Sequence, residues 1–373
     1  MAGAETQSRK ALRELIDLLL EVDERWAGPE WLIESPEDVA GAHRALLHLL
    51  QGGLFGHFED DPTRPQFRRI VSPTRKFTGD NPDAIYYEAP VKGSLAYRVR
   101  GNMAGAVYVS LTVEEGAGQG SFGSGTAGDI SDVDFDVDGG GNFEVVFGGV
   151  PQERNWLALP EAAQRITTRH YFEELEYAAA DRNRLVPLSI ETLEPTPAPA
   201  PADAASITAG IRRVTNFVRS RTLEELPPGQ REQPAFVGRT PNQFPAPVKP
   251  GDFTQSFADA AYSLAPYVLG PDEALLMTGR WPRCRAGYVC LWNRWLQTYD
   301  FANRRVGLNR KQTQLESDGS FRMVLAHRDP GERNWIDTEG RPFGMVFWRF
   351  VLPEGPIETP QARVVPFDDV ART

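Results

Sequence analysis

The 373-residue sequence predicts a mainly β protein with accessory helices. The predicted form is an antiparallel, jelly-roll-like β-sandwich built as two related units. Three observations carry that prediction. Apolar residues recur at helical spacing near the start and middle of the chain, and elsewhere give way to short Tyr- and Val-rich runs. A proline-rich seam, EPTPAPAPADAA at 194–205, divides the chain. The stretch GNFEVVFGGVPQERNW at 141–156 returns as GSFRMVLAHRDPGERNW at 319–335.

In chain order, Leu12, Leu15, Ile16, Leu19 and Val22 form one stripe and predict an amphipathic helix over 8–26. SPED predicts a second helix, with Ser35 as cap, Pro36 in the first turn and Asp38 complementing the helix dipole. Val39, Ala42, Leu46 and Leu50 give its buried face, and Gly52 and Gly53 are expected to end it. From about residue 83, AIYYEAP, SLAYRVRG and GAVYVSLTVEE read as strands joined by tight turns. EGAGQGSFGSGTAGD reads as a glycine-rich loop, VDFDVDGGGNFEVVFGG as strand, turn and strand, and RITTRHYFEEL as another strand. After the seam, Asp203 caps a third helix running to about Leu226, with Ile207, Ile211, Val214 and Val218 on one side. A further helical stretch is expected at 254–263. Strand signals return in ALLMTGRWP, AGYVCLWNRWLQTYD, KQTQLESDGSFRMVLAHRD and GMVFWRFVLP. The implied organisation is a helical segment at 1–60, a first β unit at 61–193, a linker with helices at 194–260 and a second β unit at 261–373.

In the repeat, Gly141 matches Gly319 and Phe143 matches Phe321, while Trp156 and Trp335 are one residue further apart. The second copy therefore has one extra loop residue. Glycine supplies a hairpin turn, Phe alternates into the strand, and a polar loop follows. The shared ERNW reads first as a structural element. Trp closes the loop over the sheet, and Arg and Asn hold loop backbone. The same residue types also suit polar ligands, so Arg333 and Asn334 are kept as candidate substrate contacts.

TGDNPDAIYYEAPVKGSLAYRVRG at 78–101, DGSFRMVLAHRDPGERNWIDTEG and GMVFWRFVLP resemble bacterial proteins that carry the domain of unknown function numbered 1214. Asn81, Asp83 and Tyr86 match the family's entry strand loosely; Gly319, Phe321, Asn334, Trp335 and Arg349 match its C-terminal unit better. The resemblance is strongest over 275–353 and weaker over 78–175. It implies jelly-roll-like sandwich structure and no settled activity.

Net charge is −11, from 51 acids and 40 bases, which opposes non-specific binding to nucleic acid or anionic membrane. No apolar run is long enough for a membrane helix, and the start is not a signal peptide, so a cytoplasmic location is expected. Cys284 and Cys290 would lie about 20 Å apart along a strand and read as free, partly buried thiols. The five histidines and two cysteines have no zinc spacing. DVDFDVDGGGN opens like a calcium loop but has Val145 where a bidentate Glu is needed. Alternation, with Val133, Phe135 and Val137 facing in and the aspartates facing water, is preferred. Ser121 and Ser124 lack a nucleophile elbow. No cofactor and no metal are expected.

Candidate chemistry gathers in three places. Arg283 and Arg285 share a strand face and suit an anion, with Trp281 and Trp292 as flat apolar surface. His327 stands where the first copy has Gly148–Gly149, so the shared fold does not require it. With Asp329 or Asp83 to orient it and Tyr86 to assist, it would be an acid–base group. The function expected is therefore a cofactor-independent hydrolase or lyase acting on a small polar or anionic substrate in a cleft between the β units. The alternative is a non-catalytic protein that binds carbohydrate or a small ligand through Trp and Arg surfaces. A scaffold or oligomerisation role stands third.

Overall fold

The computed structural model describes residues 5–372 apart from 117, 124, 231 and 251–258. Helix α1 (Gln7–Arg25) is capped by Thr6, and α2 (Pro36–His57) by Ser35, whose hydroxyl accepts from the Asp38 N–H at 3.0 Å. The first unit contributes β1 (Arg68–Arg69), β2 (Ala84–Pro90), β3 (Tyr97–Asn102), β4 (Tyr108–Glu115), β5 (Gly125–Ser131), β6 (Asn142–Phe147), β7 (Trp156–Leu157), β8 (Ala163–Tyr171) and β9 (Leu188–Thr192). Helix α3 (Ala204–Ser220) follows, with a reciprocal capping box between Asp203 and Ser206. The second unit contributes β10 (Ala260–Val268), β11 (Glu273–Gly279), β12 (Ala286–Trp292), β13 (Gly307–Asn309), β14 (Phe321–Ala326), β15 (Trp335–Asp337), β16 (Phe343–Val351) and β17 (Gln361–Pro366).

The strand orders show the same plan twice. The first unit has sheets β1-β2-β8-β4-β5 and β7-β6-β3-β9; the second has β10-β16-β12-β13 and β15-β14-β11-β17. All pairings are antiparallel except β6 with β7 and β14 with β15. Those two parallel pairs are the ERNW loops. In each, the Asn carbonyl accepts a strand N–H, Val146 to Asn155 at 2.8 Å and Val324 to Asn334 at 3.0 Å. In each, the Asn side-chain oxygen accepts a backbone N–H from an upstream loop, Asp136 in one copy and Gln314 in the other, both at 2.8 Å. In each, the indole N–H donates to a carbonyl at the strand end, Trp156 to Gly148 and Trp335 to Ala326. The repeat is thus a bracket that pins a short parallel strand beside a hairpin.

Each unit has its own core between its two sheets. Val99, Phe143 and Val145 face Val109, Leu111 and Ile166 in the first; Leu275, Met277 and Met323 face Val289, Leu291 and Trp348 in the second. A third apolar layer joins the units. Tyr86, Tyr108 and Tyr171 from β2, β4 and β8 pack with Tyr262, Tyr288, Cys290, Trp292 and Phe347 from β10, β12 and β16. The protein is therefore a stack of four sheets with the helices at its side, where α3 packs against both α1 and α2.

Several sequence expectations are corrected. Helix α2 runs through Gly52 and Gly53 to His57. Those glycines permit close approach: a Cβ at Gly53 would lie 3.0 Å from the Phe217 ring of α3, and one at Gly56 would lie 2.5 Å from Glu88 Oε1. The buried stripe of α1 is Ala11, Leu15, Leu18 and Val22, which leaves Leu12 and Ile16 exposed. Helix α3 stops at Ser220, and its Ile207 is exposed. The helix expected at 254–263 falls largely outside the described residues, and from Ala260 the chain is strand β10. Residues 132–134 form a turn, and Val133 and Val137 are exposed while Phe135 is buried. The glycine-rich segment becomes strand β5 from Gly125, with Ser124 outside the described residues. Of KQTQLE, a bridge from Leu315 to Phe321 is the strand-like contact found among the described residues.

Candidate functional site between the two units

The layer between the units buries polar and charged groups among its tyrosines. Strand β16 brings Arg349 into it between Tyr262 and Tyr288, its register partners on β10 and β12. The alternation of GMVFWRFVLP explains the placement. Trp348 and Phe350 enter the core of the second unit, so Phe347 and Arg349 must point the other way. Arg349 is 5% exposed. One Nη donates to Tyr171 Oη at 2.8 Å and to Tyr86 Oη at 3.4 Å; the other reaches the Gly79 carbonyl at 3.4 Å. Its Nε has no hydrogen-bond partner. Among the described residues, no carboxylate lies within ion-pair distance of it, whereas other buried arginines are paired: Arg165 with Asp60 at 3.0 Å, Arg169 with Glu114 at 3.6 Å.

The loop before β2, TGDNPD, closes one side of this layer. The Asn81 side-chain oxygen accepts from the Asp83 N–H at 2.9 Å, an Asx-turn. The buried Asp80 carboxylate accepts from the Thr298 N–H at 2.7 Å and hydroxyl at 2.6 Å, and its carbonyl accepts from the Trp292 indole. Lys76, 1% exposed, donates to Thr298 Oγ1 and the Tyr299 carbonyl and lies 3.2 Å from the Phe301 ring centroid. Burial lowers the Lys76 ammonium to about 8, although Asp80 opposes the shift. Burial likewise raises Asp80, against the pull of Lys76 and Thr298. Asp83 is held well above the usual carboxylate range by burial, only partly offset by the amide of Asn309 at 2.9 Å. Burial, with Tyr171 beside it, pushes the Tyr86 phenol up. For both Asp83 and Tyr86, burial favours the protonated form over the anion.

Polar bonds cross the layer throughout. Tyr288 Oη donates to the Phe172 carbonyl at 2.8 Å, Asn309 bonds Asp83 and the Glu174 carbonyl, and Arg310 makes a fork to Glu173 at 2.7 and 2.8 Å. Next to Gly79 the surface opens into a shallow groove of about 40 Å³ lined by Trp26, Trp31, Thr78, Arg294, Trp295 and Leu296, among others. A second depression, beside Phe55 and Glu88, holds about 20 Å³.

Of the sequence candidates, the structure brings Asp83, Tyr86 and Trp292 to the inter-unit layer, where Arg349 joins them, and leaves the rest elsewhere. His327 follows β14 in the outer sheet, and its Nδ1 is hydrogen-bonded to Thr338 Oγ1 at 2.6 Å. Asp329 is exposed and accepts from the Gly331 N–H, so it braces a loop turn instead of orienting the imidazole. Asn334 is buried, and its amide bonds the backbone of Gln314 and Arg322. Arg333 is exposed. The arginines do not converge. Arg280 pairs with Asp318 at 2.8 Å, Arg283 lies 3.8 Å from Glu354, Arg285 pairs with Asp132 at 2.6 Å, and Arg294 with Asp38 at 3.3 Å. Trp281 packs tilted and edge-on into the second core against Phe321, Trp348 and Phe350, and Trp292 stacks on Phe347.

In the aspartate-rich turn, Asp138 accepts from the Gly140 and Asn142 N–H groups, and Asp136 pairs with Arg154. Both cysteines are free, Cys290 buried and Cys284 half-buried. No trio of His, Cys, Asp or Glu among the described residues could hold a metal ion. No helix among them is long and apolar enough to cross a membrane. Sequence reasoning missed Lys76 and Tyr171. Lys76 sits in a polar loop, and no periodicity marks it as buried.

No protein-family model matches the chain, and no curated protein matches it. An uncharacterised protein from Burkholderia cenocepacia has a solved structure of the same fold, at 24% identity and TM-score 0.81, with 96% of this chain and 98% of that chain covered. The VPA0106 protein from Vibrio parahaemolyticus is more distant, at 12% identity and TM-score 0.48, covering 87% of this chain and 98% of its own.

Proposed function

We propose that the chain binds a small anionic ligand between its two units, with Arg349 as the recognising cation. The observation that carries this reading is the state of Arg349: a guanidinium removed from water, with no carboxylate within ion-pair distance among the described residues and with Nε unbonded. Burying a charge without a direct ion pair is costly even with Asp80 near enough to act on it, and an anion that accepts from the guanidinium would relieve that cost. Tyr86 and Tyr171 add hydroxyls on the same side. Entry is by the tryptophan-lined groove, because Thr78 lines it and the next residue, Gly79, already accepts from Arg349. A carboxylate, phosphate or sulfate group fits the chemistry. The groove admits only a few water molecules as it stands, so the loops 78–83 and 293–298 must part for a larger ligand.

Hydrolase or lyase chemistry on that ligand is the second reading. It is favoured by Asp83, a buried carboxyl whose proton affinity burial raises, as a general acid requires. Kinship with the family carrying domain 1214, and a jelly-roll ancestry for each unit, belong to the same proposal. The features supporting them are the hairpin, the Asn334–Trp335 bracket and the arginine on the last long strand.

The test is calorimetric titration of the whole chain with inorganic phosphate, sulfate and malonate. Saturable binding is expected with at least one probe, and Arg349→Lys should weaken it about ten-fold by losing the planar fork. Should that variant fail to fold, Thr78→Trp, which fills the groove, should slow or abolish uptake. His327→Gln should leave binding intact. Absence of saturable heat with all three probes would overturn the reading.

A further inference from the structure

We propose that α1 is the contact helix of a two-fold symmetric dimer whose other half is a second copy of this chain. Helix α1 has two apolar stripes. Ala11, Leu15, Leu18 and Val22 are buried in the helical layer. Leu12, Ile16 and Leu20 are spaced four apart on the opposite side and are 49%, 49% and 59% exposed. Single exposed leucines are ordinary; three on one helix face form a continuous ridge about 12 Å long.

The ridge is self-complementary in one orientation. An antiparallel pairing with the two-fold axis at Ile16 sets residues equally distant from Ile16 opposite one another. Leu12 then meets the partner's Leu20, and Ile16 meets the partner's Ile16. Arg9 and Asp23, each seven residues from the axis and on the same face, form opposite-charge pairs at both ends. A parallel pairing would set Arg9 against the partner's Arg9 and Asp23 against the partner's Asp23, so charge selects the antiparallel form, which also opposes the helix dipoles. Arg9 has no ion pair among the described residues, whereas neighbouring Arg13 is paired with Glu5. Asp23 is hydrogen-bonded to His43 of α2 at 2.7 Å, but that pair is exposed and open to a second partner. One turn beyond His43, Leu47 is 61% exposed and extends the apolar surface onto α2.

The experiment is sedimentation of the full chain over a concentration series. The wild type should show a monomer–dimer equilibrium, and Ile16→Arg should give a folded monomer whose melting temperature equals that of the wild type at dilutions where the wild type is monomeric. Arg9→Asp should weaken the dimer about ten-fold, and the double variant Arg9→Asp, Asp23→Arg should restore it. A wild type that stays monomeric throughout, a dimer indifferent to Ile16→Arg, or a double variant no better than the single one would each overturn the proposal. So would a monomer that co-sediments with phosphatidylcholine vesicles through Ile16, which would assign the ridge to a lipid surface.

Discussion

At the scale of single residues, buried ionisable groups dominate. The ammonium of Lys76 is lowered from 10.5 to about 8, so the folded protein disfavours its charged form. The cost is fully present below pH 8 and fades as pH rises toward 10.5, where the unfolded chain also loses the proton. Relative to Lys76→Met, the wild type should therefore gain up to about 3 kcal/mol between pH 8 and 10.5, read from paired melting curves. His170 acts in the same direction with pH, in a lower window. Burial lowers it to about 4, so its contribution is complete above pH 6.5 and is lost as pH falls from 6.5 to 4. Replacing His170 by Leu should flatten that acid limb of the stability curve, and an unchanged limb would show that the imidazole is not buried neutral. Of these groups, Arg349 stood in the sequence only as a match to the C-terminal unit of the resembled family, and no local pattern placed it in a site. Asp83 and Tyr86 were readable as an Asx-turn leading into a strand, but their depth depends on a second unit far along the chain.

At the scale of elements, glycines decide how closely things approach. Gly101 and Gly279 occupy equivalent places in the two units, opposite Phe143 and Phe321 in register. A Cβ would fall 2.3 Å from the Phe143 ring at Gly101 and 2.9 Å from the Phe321 ring at Gly279. Both Ala substitutions should destabilise by about 1–3 kcal/mol, Gly101 the more, as read by urea denaturation. The ERNW bracket gives a second comparison. Asn334 makes three side-chain bonds to backbone and is buried, so Asn334→Ala should cost about 1–3 kcal/mol and more than Asn155→Ala, whose side chain makes one described bond. Most strands were legible because alternation and turn residues act locally. Strand β10 was not: AAYSLAPYV has a proline and small residues, and its burial on both faces erases the alternation that identifies a half-exposed strand. The rotated face of α1 was also illegible, because both its sides are apolar and only the packed helices reveal which one is covered.

At the scale of the whole molecule, the inter-unit layer behaves like a third core. It buries seven aromatic side chains from the long strands of both units and is crossed by the Asp80, Asp83 and Glu173 bonds. Such a contact resembles a domain interior more than an interface between independent domains. Heating should accordingly give one cooperative calorimetric transition for both units, with the van't Hoff and calorimetric enthalpies equal. Two resolved transitions would show that the units are thermally independent. The duplication itself was visible in the sequence through Gly, Phe, Asn and Trp at matched intervals. The stacking of the two copies was not, since the tyrosines that meet there look like any strand residues.

The layered order has a consequence during synthesis. All strands of the first unit have been made by Thr192, yet β16, which supplies Arg349 and Phe347 to cover its inner tyrosines, ends only at Val351. At ribosomal speed the intervening 159 residues take roughly 10–30 s. Throughout that interval the nascent chain presents Tyr86, Tyr108 and Tyr171 to water on an uncovered sheet. A folding helper that shields aromatic surface on a ribosome-bound chain would act in this window, and slowing translation after Thr192 would lengthen it.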